Sequence, residues 1–565
     1  MIERVIENWL DSTNERGYEN AFCQLLIAEG HTIIRRPAHG PTEHGKDVVT
    51  RDQKGRLHAY QLKTGNLDKS TWRQIRGEVE ELIGVPVQEP GVSPKTRFTP
   101  HLVTNGDVKE PVKDEVRARG QGVNGQAYRR LNFITRDHLL RSFVDLHGTF
   151  FPATPGDFER FLRLYLADKR AFLAKDEFSK FLLSSLPTPA EVNKSHVPRA
   201  AAATAVLANY ILSGYLNAGN HLAVAEGWML VFGHLLRVVE AARPSQDNCL
   251  SSVELCVDAW EMATNALVQE AMSSRNWIEG DVAVDDFVFG HRKTLLIGYL
   301  AAFALYRRLM KRPLENEGDI FARVSEELRP LRFWGESAMT HFIAVMLFLW
   351  KRGSEGEAVS LCAGLIKKVT ELNGNEGGPG LPDPYLDGSD ALGRELTAKR
   401  ALDVMQFVLE RDRSRNDLAP EEFYRSLASL AQNATGRPAW DVWQTFAGRS
   451  FGIRCLVEFL ARRWRKALLK SLWYDITRVD YAEFVPTKPS DFYLWRAEEG
   501  SLVARRFGRP ETWESLAGAA KAKPRKRALL FRKFPQLLLP FALVYPHRLT
   551  PDLVRGWEQL LEDKA

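Results

Sequence analysis

The sequence predicts a three-part chain: an α/β domain over residues 1–147, a large all-α region over 148–476 and a small basic α+β region over 477–565. Three observations carry this reading. Strand and helix patterns alternate up to about residue 147 and then stop. From Gly156 to about residue 476, apolar residues recur at three- and four-residue spacing, as in Phe158, Phe161, Leu162, Tyr165 and in Val457, Leu460, Trp464, Leu468. Beyond that, Phe492-Tyr-Leu-Trp495, Glu499-Gly500 and Leu502-Val-Ala504 have the pattern of a hairpin, and positive charge accumulates. A length of 565 residues exceeds one ordinary core and calls for such a division.

In the first part a helix is expected over Gly17–Glu29, closed by Gly30 in the C′ role. Strands follow at Thr32–Arg35, Lys46–Thr50 and Leu57–Lys63, the last two joined by a turn at Gln53-Lys-Gly55. A helix over Ser70–Ile83, with Ser70 or Thr71 as cap, leads to a strand over Phe98–Thr104 ended by Asn105-Gly106. A helix over Lys109–Ala118, a strand at Leu131–Ile134 and a helix from Asp137 complete a mixed sheet flanked by helices.

In the second part, Thr154-Pro155 opens a helix with proline at its first position, and Thr188-Pro-Ala-Glu191 is a capping box. Helices are expected near 156–184, 189–217, 221–241, 251–273, 292–311, 334–352, 355–372, 396–411, 419–433 and 452–473. The array has no fixed-period repeat signature. Gly374–Gly388, in the stretch 374–390, is the clearest loop and the natural split between two helical halves. Thr550-Pro551 caps a final helix to about Leu561.

With 44% hydrophobic and 26% charged residues, the composition excludes collagen, coiled-coil rods and wholly disordered chains. Cys23, Cys249, Cys256, Cys362 and Cys455 form no CxxC pair and read as small core residues in a reducing compartment. The opening MIERVIENWL is charged where a signal peptide carries an apolar stretch. The apolar runs Leu295–Tyr306 and Phe342–Trp350 fall short of the roughly 20 residues a bilayer requires, so they are expected as buried helices. The expected setting is the cytoplasm, with no membrane partner. Residues 501–565 carry 13 Lys/Arg against 6 Asp/Glu, which leaves the rest of the chain near neutrality. The densest stretch holds Lys521, Lys523, Arg525, Lys526 and Arg527. It suits phosphate binding through counterion release, or it is a solvated basic loop.

The residues that suggest chemistry are Glu19, Asp47, Gln61 and Lys63. Period two puts Leu57, Ala59, Gln61 and Lys63 on one strand face. If the preceding strand pairs with this one as a hairpin, Asp47 lies beside Gln61. Glu19 sits at the edge of the stripe Tyr18, Phe22, Leu25, Leu26 and can reach the same sheet end. Two carboxylates, an amide oxygen and a lysine suit a hard cation such as Mg²⁺, which lowers the pKa of a bound water and offsets charge on a phosphate. Lys63 would orient or help deprotonate that water and steady the pentavalent state.

Three segments, Tyr18-Glu19-Asn20-Ala21-Phe22, His44-Gly45-Lys46-Asp47-Val48-Val49 and Tyr60-Gln61-Leu62-Lys63, resemble the PD-(D/E)xK nuclease superfamily, in particular its Mrr-like restriction endonuclease branch. That branch has a helix glutamate, a Gly-x-Asp turn into a strand and a Gln-x-Lys strand in place of Glu-x-Lys. Leu102-Val-Thr-Asn-Gly106 resembles its fourth core strand, and Leu131-Asn-Phe-Ile134 with Asp137-His-Leu-Leu140 its closing strand and helix. The resemblance covers roughly residues 10–147. It implies a restriction-endonuclease-like fold and hydrolysis of DNA phosphodiester bonds with Mg²⁺, or Mn²⁺ in its place. Asp47 and Glu19 would bind the metal, Gln61 would complete its shell and Lys63 would activate water. His44 and Lys46 would lie against the nucleic acid. A nuclease joined to a long helical region suits a prokaryotic restriction or anti-phage defence effector, the helices sensing, oligomerising or docking a protein partner. One departure stands out: Gln61 is neutral where many relatives of the wider superfamily carry a carboxylate.

Other readings stay open on the residues alone. Each of the four can be an ordinary surface or turn residue. An inactive nuclease-like domain on a helical scaffold would bind nucleic acid without metal, and the same site could act on RNA or branched DNA. Gly40-Pro-Thr-Glu-His-Gly45-Lys46 matches GxxxxGK, but Asp47 stands where a phosphate loop needs Ser or Thr, and a strand follows where a helix should open. His39 and His44 lack partners at zinc-site spacing. The aromatic stretches Trp228–Phe232 and Trp440–Trp443 read as core.

Overall fold

A computed structural model describes residues 2–36, 44–121, 130–148, 155–170, 173–186, 197–242, 246–273, 286–327, 336–354 and 533–544, with positions 357, 358 and 361. The stretches expected as helices beyond residue 361, the capping box Thr188–Glu191, the loop Gly374–Gly388, the hairpin at 492–504, the basic run Lys521–Arg527, the helix from Thr550, and His39 lie outside the described residues.

A helix absent from the expected order opens the fold. In α1 (Ile2–Ser12), Val5, Ile6, Trp9 and Leu10 make one buried face. They keep helical spacing in a segment whose charge marks it as polar. Helix α2 (Glu15–Ala28) is capped by Asn14, whose side chain accepts from the Gly17 N–H at 2.8 Å. It ends as the glycine predicts. Gly30 has φ +88°, its N–H bonds to the Ile27 carbonyl, and the His31 N–H bonds to that of Leu26, a Schellman closure.

Strands β1 (Thr32–Arg35), β2 (Val48–Arg51) and β3 (Leu57–Lys63) pair antiparallel in sequence. The β2–β3 turn runs through Gly55, at φ +77°. Helix α3 (Lys69–Gly84) then crosses over to β4 (Phe98–Thr104), parallel to β3, and α4 (Glu110–Gly120) to β5 (Asn132–Ile134), parallel to β4. The sheet is mixed, in the order β1-β2-β3-β4-β5. The cap of α3 is Asp68 rather than Ser70 or Thr71: its carboxylate accepts from both of their N–H groups, at 2.9 and 2.8 Å. Helix α5 (Arg136–His147) closes this part.

The two faces of the sheet are packed differently. On one, Val49, Ala59 and Leu102 meet Trp72, Ile75, Val79 and Leu82 of α3 and Val112 and Val116 of α4. On the other, Phe22 of α2 packs edge-on against Tyr60 of β3, with ring centres 5.4 Å apart. Asn105, at the end of β4, is buried and satisfied. It accepts from the Gly65 N–H at 2.7 Å and donates to the carbonyls of Leu10 and Thr13 at 2.7 and 3.0 Å. It thereby ties the sheet end to the last turn of α1.

The described part of the helical region, to residue 354, follows the expected spacing, with two differences. The helix expected over 156–184 is two, α6 (Pro155–Tyr165) and α7 (Lys175–Ser185). They are separated where Leu166 is exposed and Lys169 donates to the Leu164 carbonyl at 2.8 Å, closing the last turn of α6. Then come α8 (Val197–Asn217), α9 (His221–Ala242), α10 (Gln246–Ser273), α11 (Asp286–Leu309), the shorter and unexpected α12 (Glu317–Glu327), and α13 (Glu336–Lys351). As expected, 295–306 and 342–349 are buried along their length. Among the described residues no helix is long and apolar enough to cross a membrane.

The chain divides into two units in a way that differs from the three expected parts. The first comprises 1–169 and 177–262, the second 170–176 and 263–565. In the first, α8 and the opening turns of α10 lie against α2, so the α/β fold does not end its packing at residue 147. In the second, α11 packs on α13, and a short helix α14 (Leu538–Val544) lies against both. The described residues 533–544, part of the segment expected as a C-terminal region, fall in this second unit.

Candidate active site

The antiparallel register pairs Val48 with Tyr60, and the Asp47 N–H bonds to the Tyr60 carbonyl at 2.9 Å. Continuing that register sets Asp47 across from Gln61, as the hairpin reading expects. Asp47 and Gln61 share the face of Val49 and Ala59, the face covered by α3. The Asp47 carboxylate is anchored: its Oδ2 accepts from the Leu62 N–H at 2.6 Å, a charge-assisted bond.

Gln61 is 1% exposed. Its Nε2 donates to Oε2 of Glu78 at 2.7 Å, while its Oε1 is buried and takes no hydrogen bond among the described residues. Lys63, the last residue of β3, places its ammonium 2.9 Å from the same Glu78 oxygen and 3.8 Å from Oε2 of Glu15. Burial opposes the charge on Lys63, but the hydrogen bond it donates to Glu78 and the carboxylates of Glu15, Glu78 and Asp47 outweigh it and raise the ammonium above its ordinary range. In this state Lys63 is a held positive charge and not a free base.

Glu19 comes from the opposite face of the sheet, on α2, and is 5% exposed. A carboxylate so buried needs compensation. Its neighbour Tyr18 reaches the end of β3: the Tyr18 hydroxyl donates to the Lys63 carbonyl at 2.6 Å. Burial first, then the charges of Glu15, Asp47 and Glu19, push that phenol well above its usual range. The structure therefore sets Asp47 across from Gln61 at one end of the β2–β3 pair, with Lys63 two residues further along β3, and the charges of both Asp47 and Glu19 act on the Tyr18 phenol.

The two residues expected against nucleic acid are placed differently. Lys46 is 1% exposed and donates to the carbonyls of His44 and Glu81 at 3.1 and 3.0 Å. It thus serves a carbonyl in the last turn of α3, the end of a helix where a cation is favoured. Burial, with the nearby Arg35 charge, brings it down to about 8. A lysine held this way is part of the wall and does not meet phosphate. His44 remains partly exposed, with φ +49°.

Gly45 explains why this entry to β2 is tight. Its φ is +68°, and a Cβ there would stand 2.2 Å from the Glu78 carbonyl oxygen and 3.0 Å from the Leu82 nitrogen, both backbone. Gly45→Ala is expected to destabilise the protein by about 3 kcal/mol or more, because a left-handed conformation and a backbone clash add. Urea unfolding measures it, and a loss below about 1 kcal/mol, the size of an ordinary substitution, would show that the loop does not lie against α3.

Two site residues escape sequence reading. Glu78 and Glu15 occupy helix positions indistinguishable by pattern from solvated surface; Glu78 precedes the buried Val79 in the run Glu78-Val-Glu-Glu81. Only the three-dimensional approach of α2 and α3 to the end of β3 singles them out.

Three searches, against protein-family models, curated proteins and solved structures, find no match to the chain. Among the described residues, no group of three or more His, Cys, Asp or Glu side chains is gathered to hold a metal ion. The oxygen donors here are of another composition: two carboxylates and an amide. The buried, unbonded Oε1 of Gln61 is the observation that fits a hard cation. Among the described residues it is an oxygen donor withdrawn from water and without a hydrogen bond, on the residue across the register from an anchored carboxylate.

Proposed function

We propose that residues 1–147 form the catalytic part of a divalent-metal-dependent endonuclease that hydrolyses DNA phosphodiester bonds. Asp47 and Glu19 would hold the ion by carboxylate, and Gln61 by its amide oxygen. The ion, Mg²⁺ or Mn²⁺, would supply an activated water and offset charge on the phosphate. Asp47 is kept in place by the Leu62 N–H, so its position does not depend on the ion. Lys63, kept protonated by two carboxylates, offers a positive charge to the phosphate as it gains negative charge. The orphaned Gln61 oxygen beside Asp47 carries this reading.

The biological role that accompanies it is restriction or anti-phage defence, the helical region sensing, oligomerising or docking a partner protein. The packing of α8 and α10 against α2 favours a helical region that acts on the site helix directly. The basic run Lys521–Arg527 would add sequence-independent affinity for nucleic acid.

The test is a cleavage assay on duplex DNA, single-stranded DNA, branched DNA and RNA, with Mg²⁺ or Mn²⁺, beside Lys63→Ala. Duplex nicking that requires metal and disappears in the variant is the expected result. Cleavage confined to RNA or junctions would redirect the substrate class. Metal-independent DNA binding without cleavage would mark the domain as a nuclease-like binding module.

A further inference from the structure

Gln61 contributes no charge to the site, and Glu78 stands beside it. One oxygen of Glu78, Oε2, accepts both from Nε2 of Gln61 at 2.7 Å and from Nζ of Lys63 at 2.9 Å. This contact has a consequence for the amide. A carboxylate can only accept, so the NH₂ end of Gln61 must face Glu78. The carbonyl end is thereby turned the other way, and it is this buried oxygen that takes no hydrogen bond among the described residues. Without Glu78 the amide could rotate by half a turn and present a donor, which repels a cation.

Resting on the metal-dependent reading above, we propose that Glu78 is a positioning residue of the site. Its carboxylate locks the Gln61 amide so that oxygen faces the cation, and it restores beside the strand the negative charge that Gln61 lacks. Its backbone contributes as well. The Glu78 carbonyl is the atom against which Gly45 packs, so one residue sets the spacing between α3 and the loop that carries Asp47. The helix is anchored by Trp72, Ile75, Val79 and Leu82, while the Glu78 side chain remains 52% exposed. Its substitution therefore leaves the core untouched.

The experiment titrates Mg²⁺ alone into the full chain by calorimetry, in parent, Asp47→Asn, Glu78→Gln and the exchange Gln61→Glu/Glu78→Gln. Each protein is first matched to the parent by its metal-free melting curve. Glu78→Gln should weaken Mg²⁺ binding by about ten- to a hundredfold, the usual effect of losing a group that orients a ligand. The exchange should recover most of that loss, because it rebuilds the amide–carboxylate bond with the roles reversed. If Glu78→Gln binds Mg²⁺ as the parent does while Asp47→Asn has lost it, Glu78 has no such role and the metal site stands. If the exchange binds no better than Glu78→Gln, the locking of the amide is refuted. If Asp47→Asn binds like the parent, or the parent binds no Mg²⁺, the metal site itself falls.

Discussion

A fragment ending at His147 is expected to be insoluble, or soluble without a cooperative unfolding transition, although it contains the whole sheet and all four candidate residues. The reason lies in α2. Gly17, Tyr18, Glu19 and every residue from Ala21 to Ile27 are buried, which a helix resting on one sheet does not achieve. The remaining cover comes from later in the chain. Asn209 of α8 donates to the Gly17 carbonyl at 3.1 Å. Gln24 and Asn20 donate to the Ser252 and Leu255 carbonyls of α10 at 3.1 and 2.9 Å. Tyr210 of α8 packs against Trp9 with ring centres 4.7 Å apart and lies within hydrogen-bond distance of His147, at 3.2 Å. Cutting after residue 147 uncovers these surfaces and strands the Gln24 amide. Each large apolar side chain uncovered costs about 1.5–3 kcal/mol, against a total domain stability of about 5–15 kcal/mol. Circular dichroism and sedimentation of the fragment measure the outcome. A monomeric fragment with a sharp transition would show that α8 and α10 only rest against a domain that is already complete.

The second large effect is expected at Asp47. Asn has the same shape and can still accept from the Leu62 N–H, so Asp47→Asn removes the charge and keeps the geometry. Metal-dependent cleavage should fall by about 10³-fold or more, the size of losing several kcal/mol of charge stabilisation. Stability should change only by the difference between a charge-assisted and a neutral hydrogen bond, about 1 kcal/mol. Rates and melting curves measured on one preparation separate the two. Cleavage within tenfold of the parent, at unchanged stability, would place the chemistry elsewhere.

Much of the α/β fold is legible in the sequence, because local physics sets it. Gly30 marks the end of α2 through its left-handed φ, and the alternation in Leu57–Lys63 marks a strand whose Gln61 and Lys63 share a face. The juxtaposition of Asp47 and Gln61 follows from the hairpin register alone. What escapes depends on contacts distant in sequence. Glu78 looks like surface until α3 is laid across the sheet. Lys46, next to Asp47 in a loop, reads as a solvent-facing cation until Glu81 is seen to offer it a carbonyl. The burial of α2 on all sides is written in its composition, Ala21 to Ile27 being apolar but for Gln24. The identity of its cover is not, since α8 and α10 lie far downstream. The first helix is a different case: Val5, Ile6, Trp9 and Leu10 carry the spacing, but the charges among them mask it.

The account rests on the proposal that Asp47, Glu19 and the amide oxygen of Gln61 would hold one divalent ion. The most direct measurement is an anomalous difference map from crystals of the full chain soaked in Mn²⁺. The predicted result is a peak bonded to the Asp47 carboxylate and to Oε1 of Gln61, absent in Asp47→Asn. Crystals that take up Mn²⁺ only elsewhere, with Oε1 of Gln61 still unliganded, would contradict it.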